Sequence, residues 1–417
     1  MSRQTVAAPG LRLSPFLLLC TTGLFAIFSS TMSKNPALPL FAKDLGATEA
    51  NIGFIAAAST VVGIFTSVPA GALSDLYGRR RVILASAFVF ASAPFLYLLV
   101  TDPWQLALVR VYHGFATAIF GPVAMALVAD LFSKGRGESM GWYSSATLFG
   151  RSAAPFVGGF LLAFASYRWV YVACGLAGLV ALLLAARLPI GGHTQPGATM
   201  AESWQKLRRG LGEVVRSRPI LAISATEALQ YFSYGALETF LPLYAVFVAK
   251  LSTVEVGTIF LVQVLTTALS KPLMGRTSDR IGRRPMIAAG LGISGLSMAL
   301  VAFTSVLLGM APPTASFAYL LVVGIIYGLG LSVVTSSTSA YVSELARASA
   351  YGSALGVLST IMDIGHSTGP MVAGLLVAGF GYQATFVSVA ALLLVGTVGF
   401  WLLGPRPQPV SAGKAAA

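Results

Sequence analysis

The sequence predicts an all-α membrane protein with twelve transmembrane helices in two related six-helix bundles, and three observations predict it. First, 56% of the 417 residues are hydrophobic and only 10% are charged, whereas about a quarter of the residues of a soluble domain are charged. Second, the chain divides into apolar segments of about the 20 residues that a membrane-spanning helix requires. Third, one twelve-residue pattern occurs twice, half a chain apart.

Twelve apolar segments are long enough to span a membrane. They cover residues 14–41, 50–73, 82–101, 104–130, 140–164, 169–187, 219–247, 254–275, 285–310, 317–342, 351–378 and 383–403. The longest polar stretch between them separates the first six from the last six. We therefore predict an N-terminal bundle at 1–187, a central loop at 188–218, a C-terminal bundle at 219–405 and a tail at 406–417.

The placement of lysine and arginine predicts the orientation, because cytoplasmic loops carry an excess of these residues. With the N-terminus inside, twenty of the 27 fall on the inside and four within helices, and the outside loops hold only Lys43, Arg168 and Lys250. Both termini are therefore predicted to be cytoplasmic. The scattered charges also explain the net charge of +13 without a nucleic-acid partner, which needs a clustered basic face. Short loops and the absence of glycosylation sequons favour a prokaryotic inner membrane.

The repeated pattern is a basic turn between two apolar segments. Residues 71–82 and 275–286 are identical at six of twelve positions and lie 204 residues apart. Glycine permits a tight turn, aspartate can accept bonds from exposed amides at a helix N-terminus, and arginine can bind a carboxylate or a lipid phosphate. The candidate residues of the two turns are Gly71, Asp75, Gly78, Arg79 and Arg80, then Gly275, Asp279, Arg280, Gly282, Arg283 and Arg284.

Segments 5 and 11 share a second pattern of glycine and proline. Small residues let helices pack closely and proline bends a helix, which suits helices that rock against their neighbours. Packing alone is the alternative role. The candidate residues are Gly150, Pro155, Gly158 and Gly159 in segment 5, with Gly365, Gly369, Pro370 and Gly374 in segment 11.

The two turns resemble the loop signature of the major facilitator superfamily. The glycine–proline pattern resembles the antiporter signature of its twelve-helix drug:proton exporters, and Arg110-x-x-His113-Gly114 is similar to their Arg-x-x-Gln-Gly motif. The resemblance covers the whole chain. It implies alternating access, a cytoplasmic latch between the halves made by the turns, and an arginine, Arg110, that assists proton movement. The alternative role for the turns is a positive-inside anchor alone.

Several residues depart from the family pattern. Leu76 stands where the first turn usually has a basic residue, Ala154 replaces a glycine of segment 5, and His113 replaces a glutamine. Many multidrug exporters of the family carry an acidic residue in segment 1, and this chain carries Lys34 there. The lysine argues against a cationic drug as the substrate.

Ionisable residues at membrane depth are the main candidates for substrate and proton sites, because each costs at least about 2.5 kcal/mol at a helix centre. The first half contributes bases and the second half mainly acids, which favours pairing across a central cavity. These candidates are Lys34, Arg110, His113 and Arg151, then Glu227, Glu238, Asp363 and His366. The repeat aligns Asn35 with Glu238 and so predicts a Lys34–Glu238 outer gate; independent solvated groups are the alternative. Lys271 is expected to reach the membrane interface.

Asp363 and Glu227 are the predicted proton carriers, because a carboxyl group at membrane depth takes up a proton more readily than one in water. Arg151 is expected to bind an anionic substrate or to pair with an acid. A structural ion pair is the alternative for each.

These residues together predict proton-coupled export of a small amphiphilic or anionic organic compound by a monomer that contacts membrane lipids. The alternatives are proton-coupled uptake of an organic acid or sugar, and a lipid translocase. The sequence has no nucleotide-phosphate loop and no metal-ligand spacing, so we expect no enzyme activity, no cofactor and no metal.

Overall fold

The computed structural model describes residues 14–131, 136–188, 205, 212, 216–304, 312–346 and 351–405. Within these ranges the side chains of 67–69, 71–72, 75–76, 136–137 and 351–353 are outside the description. Most of the predicted central loop and the tail at 406–417 lie outside the described residues. The described part of the chain is helical throughout its length, with short turns between the helices.

Six helices form the N-terminal half. They are α1 (Pro15–Lys34), continued beyond Asn35 and Pro36 as α1′ (Ala37–Asp44), α2 (Glu49–Tyr77), α3 (Arg79–Tyr97), α4 (Pro103–Leu131), α5 (Arg136–Phe164) and α6 (Tyr167–Ala186). The hydroxyl of Ser14 caps α1 and that of Thr48 caps α2, each accepting a bond from a free amide of the first turn. Gly78 ends α2 at a φ of 87°, a conformation that glycine adopts without strain.

The C-terminal half repeats this order. It contains α7 (Arg218–Leu243) with a π-helical turn (Tyr244–Val248), α8 (Thr253–Ile281), α9 (Arg283–Ala302), α10 (Pro313–Leu345) and the stretch Tyr351–Leu403. That last stretch is broken at Gly381, where φ is 81° and ψ is 173°, into α11 before this residue and α12 after it. Gly282 ends α8 at a φ of 106°, as Gly78 ends α2.

Ten stretches of the described residues are long and apolar enough to cross a membrane. In that count α1 and α1′ form one span, and α11 and α12 form another. The helix α7 is not among the ten, because it carries Glu227, Gln230 and Glu238, all of which are buried in the protein. Polar residues at membrane depth face the interior of a bundle rather than lipid. Counting α7 and dividing the last stretch gives the twelve predicted helices.

Close helix contacts repeat between the two halves. A Cβ at Gly150 of α5 would collide with the carbonyl of Leu24 in α1, and one at Gly365 of α11 would collide with the carbonyl of Ala228 in α7. Gly158 and Gly369 also lie against helices of their own half. The duplication seen in the sequence is therefore present in the packing, with α5 on α1 as α11 is on α7.

Among the described residues, the hydrophobic core is shared between the halves at one end of the molecule. There, one cluster joins Leu38 and Ile52 of the first half to Leu241 and Val256 of the second. Toward the turns at Gly78 and Gly282, one cluster is built only from the first half and another only from the second. We call the joined end the sealed end and the end with the arginine-rich turns the basic end.

Glycines bring the halves into contact at the sealed end, in two places that we call the seams. At the first seam, between α5 and α8, a Cβ at Gly159 would collide with the carbonyl of Thr253, and one at Gly257 with the carbonyl of Pro155. Thr253 Oγ1 also donates to the carbonyl of Gly159 at 2.8 Å. Small residues at such an interface let two helix backbones approach closely.

The second seam, between α11 and α2, repeats the first. A Cβ at Gly374 would collide with the carbonyl of Glu49, and one at Gly53 with the carbonyl of Pro370. The last residues of the glycine–proline pattern thus contact the opposite half, whereas its first glycines contact their own.

The first seam yields a test. Gly159→Ala is expected to weaken closure at the sealed end, because overpacking costs about 1–3 kcal/mol, which shifts a two-state equilibrium roughly 5- to 150-fold. Spin labels at the exposed positions Asp44 and Lys250 would show more of a long-distance population. The matched control is Gly141→Ala in the same helix, where an added Cβ meets nothing within 4 Å. Identical distance distributions in the two variants would contradict the seam.

Candidate functional site

A cavity of about 310 Å³ lies between the two halves. Six of the eight predicted ionisable residues line it. From the first half these are Lys34, Arg110 and Arg151, and from the second half Glu238, Asp363 and His366. Bases therefore face acids across the cavity, as their distribution along the chain predicts.

Lys34, Glu238 and His366 form a cluster at the sealed side of this cavity. Lys34 Nζ lies 2.6 Å from Glu238 Oε2, and His366 Nε2 lies 3.1 Å from the same oxygen and 3.5 Å from Lys34 Nζ. The side chains of Lys34 and Glu238 are 20% and 9% exposed. The structure brings together the pair that the repeat predicts, because Lys34 ends α1 and Glu238 lies near the end of α7, where the seams hold the halves together.

Arg110 is buried in the wall of the cavity on α4. It donates to the hydroxyl of Ser59 on α2, and its Nε has no hydrogen-bond partner among the described residues. His113 does not line the cavity. It packs against Phe90 and Tyr97 of α3, with Nδ1 3.4 Å from the Tyr97 hydroxyl, so it lies behind Arg110 within the first half.

Arg151 and Asp363 also line the cavity. Among the described residues, neither side chain forms an ion pair or a hydrogen bond. The side chain of Arg151 is exposed to the cavity. Asp363 faces α2, where a Cβ on Gly63 would lie 4.0 Å from its Oδ2. Gly63 is one helical turn beyond Ser59, so the arginine Arg110 and the acid Asp363 contact neighbouring turns of α2.

A second cavity of about 280 Å³ adjoins the first and shares Arg151, Tyr231 and Tyr234 with it. It extends toward the basic end, because it also includes Ser144 of α5 and Lys271 of α8. Lys271, which the sequence predicts at the membrane interface, is exposed and lines this cavity. The periodicity of α8 turns this residue toward the passage between the halves.

Glu227 lies outside both cavities. It is 4% exposed, and the hydroxyl of Thr338 on α10 donates to its Oε2 at 2.6 Å. The contact joins two helices of the same half. Glu227 is thus held within the second half and does not face the first.

Sequence reasoning missed an aromatic cluster on the second half. Tyr231 and Tyr234 of α7 lie against His366, with ring centroids 5.8 and 5.5 Å from it. Tyr327 of α10 stands behind Tyr234 with ring centroids 6.5 Å apart. The signal was present, since residues 231, 234 and 238 follow the spacing of one helix face, and Glu238 was already a candidate.

The basic turns make their described ion pairs within one half. Arg79 Nε lies 2.5 Å from Asp130 Oδ2, and Arg283 contacts Asp279 at 2.5 Å and Glu344 at 2.7 Å. The side chain of Asp75 is outside the described residues. In this conformation, the described ion pairs do not form the expected latch across the halves. At the basic end each half has its own hydrophobic core, so the two turns are not held against each other.

Arg80 and Arg284 of the turns bind backbone. Arg80 donates to the carbonyl of Ala186 at 2.7 Å, and Arg284 donates to the carbonyl of Trp401. Each of these bonds ties the start of one helix to the last helix of the same half, and the tie occurs in both halves. Over the described ranges no group of three metal-ligating side chains occurs.

Comparisons with known proteins agree with this geometry. Residues 19–262 and 249–417 match the sequence profile of the Major Facilitator Superfamily. Multidrug resistance protein 2 of Bacillus subtilis is 23% identical over 92% of this chain and 94% of its own. Quinolone resistance protein NorA of Staphylococcus aureus is 23% identical over 89% of this chain and 93% of its own.

The fold is also found among solved structures. A crystal structure of a mutant of the nucleoside transporter NupG superposes with a TM-score of 0.79 at 16% identity, and the match covers 93% of this chain and 98% of that one. At this identity the likeness concerns the fold alone.

The Lys34–Glu238 pair yields a second test. Lys34→Glu or Glu238→Lys alone is expected to weaken closure at the sealed end, because each leaves two like charges in a largely buried place. The double exchange restores an attractive pair and should recover much of the closed population, measured with the spin labels at positions 44 and 250. A double variant as open as the single variants would count against a gate at this pair. Lys43→Glu, at a more exposed ion pair with Glu49, serves as the control.

Proposed function

Because the chain belongs to the Major Facilitator Superfamily, we propose that this transporter exports a small amphiphilic or anionic organic compound in exchange for protons. The substrate site is the cavity between the halves, which opens to one side of the membrane at a time. The excess of lysine and arginine at the basic end supports a cytoplasmic position for that end, in a prokaryotic inner membrane.

One observation carries the proposal. Arg151 and Asp363 face the same cavity, and among the described residues neither side chain has an ion pair. Charged groups are rarely left at membrane depth without a partner unless they serve a substrate or an ion. Arg151 can bind the polar group of a substrate, and Asp363 can take up and release a proton.

The position of the shared core at one end supports alternating access. Opening the sealed end requires the two seams to part and Lys34 to separate from Glu238. The bonds of the basic turns, such as Arg79 to Asp130 and Arg283 to Glu344, tie neighbouring helices within each half. We propose that each half therefore moves as a unit, and that the turns approach one another when the basic end closes.

Export is supported by the glycine–proline pattern of α5 and by two drug-resistance relatives. Exchange requires that proton and substrate occupy the site in turn. A substrate that donates a hydrogen bond to ionised Asp363 satisfies this requirement, because a protonated carboxyl group accepts such a bond only weakly.

Uptake of an organic acid is the second candidate, and the cavity favours it in a specific way. Protonation of Asp363 removes a negative charge from the cavity that holds Arg151, and so strengthens the binding of an anion. An anion bound in this manner would travel in the same direction as the proton. The direction of proton movement therefore distinguishes the two candidates.

A transport assay tests the proposal. Purified protein in liposomes with an internal pH dye would receive pooled organic anions and amphiphilic drugs under an imposed proton gradient. We expect substrate-dependent proton flux that Asp363→Asn reduces to the level of protein-free liposomes, because an amide does not carry the proton. Asp102→Asn, at an exposed position before α4, is the control and should keep the flux.

The outcomes separate the mechanisms. Proton movement against the substrate supports exchange, and proton movement with the substrate supports uptake. Tracer movement of a substrate without proton flux would overturn proton coupling. Undiminished proton flux in Asp363→Asn would assign the coupling to another group.

A further inference from the structure

The two walls of the central cavity differ in chemistry. The wall from the first half presents cations, with Arg110 on α4 and Arg151 on α5. The wall from the second half presents aromatic rings, with Tyr231 and Tyr234 on α7 and His366 on α11, beside the acids Glu238 and Asp363. A ligand that spans the cavity would meet positive charge at one end and ring faces or edges at the other.

The aromatic wall is held in place by its own contacts. Tyr231 and Tyr234 are 6.1 Å apart at their centroids and nearly perpendicular, a geometry that aromatic pairs favour. Tyr327 supports Tyr234 from behind and is itself fixed by Ser233, whose hydroxyl lies 2.8 Å from the Tyr327 hydroxyl. The rings therefore form a preorganised surface, which lowers the entropy lost when a flat ligand binds.

Of the three cations around this cavity, Arg151 is the one open to a ligand. Lys34 is engaged by Glu238, and Arg110 is buried and bonded to Ser59. Arg151 lines both cavities beside Tyr231 and Tyr234. Its guanidinium is a planar fork that matches the two oxygens of a carboxylate.

We propose that the site takes an aromatic monocarboxylate, with the carboxylate on Arg151 and the ring against Tyr231 and Tyr234. The inference rests on the proposed function in that it takes the central cavity as the substrate site, and a carboxylate on Arg151 favours the uptake candidate, because protonation of Asp363 strengthens the binding of an anion. The volume of about 310 Å³ is near the lower end of ligand pockets and suits a ligand of one or two rings. A second carboxylate would face Asp363 and Glu238 in the same cavity, so dianions are disfavoured.

Binding to the purified protein in detergent tests this assignment without transport. The probes are 2-naphthoate, its saturated analogue decahydro-2-naphthoate, and uncharged 2-naphthamide, measured by calorimetric titration. Naphthoate should bind about two- to tenfold more tightly than the saturated acid, the range that aromatic contacts supply. The amide should bind at least about tenfold more weakly than naphthoate, because it lacks the charge that Arg151 recognises.

Variants at Tyr234 and Arg151 assign the roles. Tyr234→Leu should equalise naphthoate and the saturated acid while both still bind, and Arg151→Gln should lose both acids. Arg151→Lys should recover part of the affinity, because it keeps the charge and loses the fork. Arg168→Gln removes an arginine that lies outside the central cavity, in a pocket at the sealed end, and should bind as the parent protein does. Thermal melting confirms that each variant is folded.

The outcomes separate this inference from the proposed function. Equal binding of the aromatic and the saturated acid by the parent protein would overturn the aromatic assignment and leave an anion transporter. Binding of the amide as tight as that of naphthoate would overturn the carboxylate assignment. Substrate-driven proton flux in the liposome assay with no binding of either acid would overturn the inference while the proposed function stands.

Discussion

Close contact between helix backbones at the two seams determines what the rest of the molecule can do. Lipid tails are as apolar as leucine, so helices in a membrane associate through packing rather than through escape from water. Glycines at 159 and 257, and again at 53 and 374, allow that packing between the halves at one end. The shared hydrophobic core lies around these contacts. Because the seams hold the ends of α1 and α7 together, the cavity has a closed side and Lys34 has Glu238 as its partner.

The distribution of charge makes the site depend on both halves. Neither half neutralises the charges that it presents to the cavity, since the cations come from α1, α4 and α5 and the acids from α7 and α11. In the alternating access that we propose, opening the sealed end requires Lys34 and Glu238 to exchange each other for water or for a ligand. The free energy of that exchange would contribute to the free-energy difference between the two proposed states, which would couple the electrostatics of the site to the movement of the halves.

The sequence predicts the helices and the duplication because both depend on local composition and on repeated motifs. The Lys34–Glu238 pairing was also predictable, since the repeat alignment placed both residues at the same depth. Which face a residue takes was harder to infer. His113 and Glu227 turn into their own halves, and Lys271 turns toward the passage. Near-uniform apolar composition hides the periodicity that would show these directions. Tyr231 and Tyr234 escaped notice because aromatic residues are common in any membrane helix.

The helix α7 carries much of the site. Over the described residues, it is too polar to be counted among the candidate membrane spans. Its acids and its glutamine are stable in the finished protein because α10, α11 and α1 surround them. During synthesis α10 and α11, which follow α7 in the chain, emerge from the ribosome after it. A charged residue at the centre of a lone helix costs about 2.5–3.5 kcal/mol on insertion scales. Stable insertion of α7 therefore depends on the helices that follow it, and the chemistry that equips this chain for its cargo also sets the order in which it can be assembled.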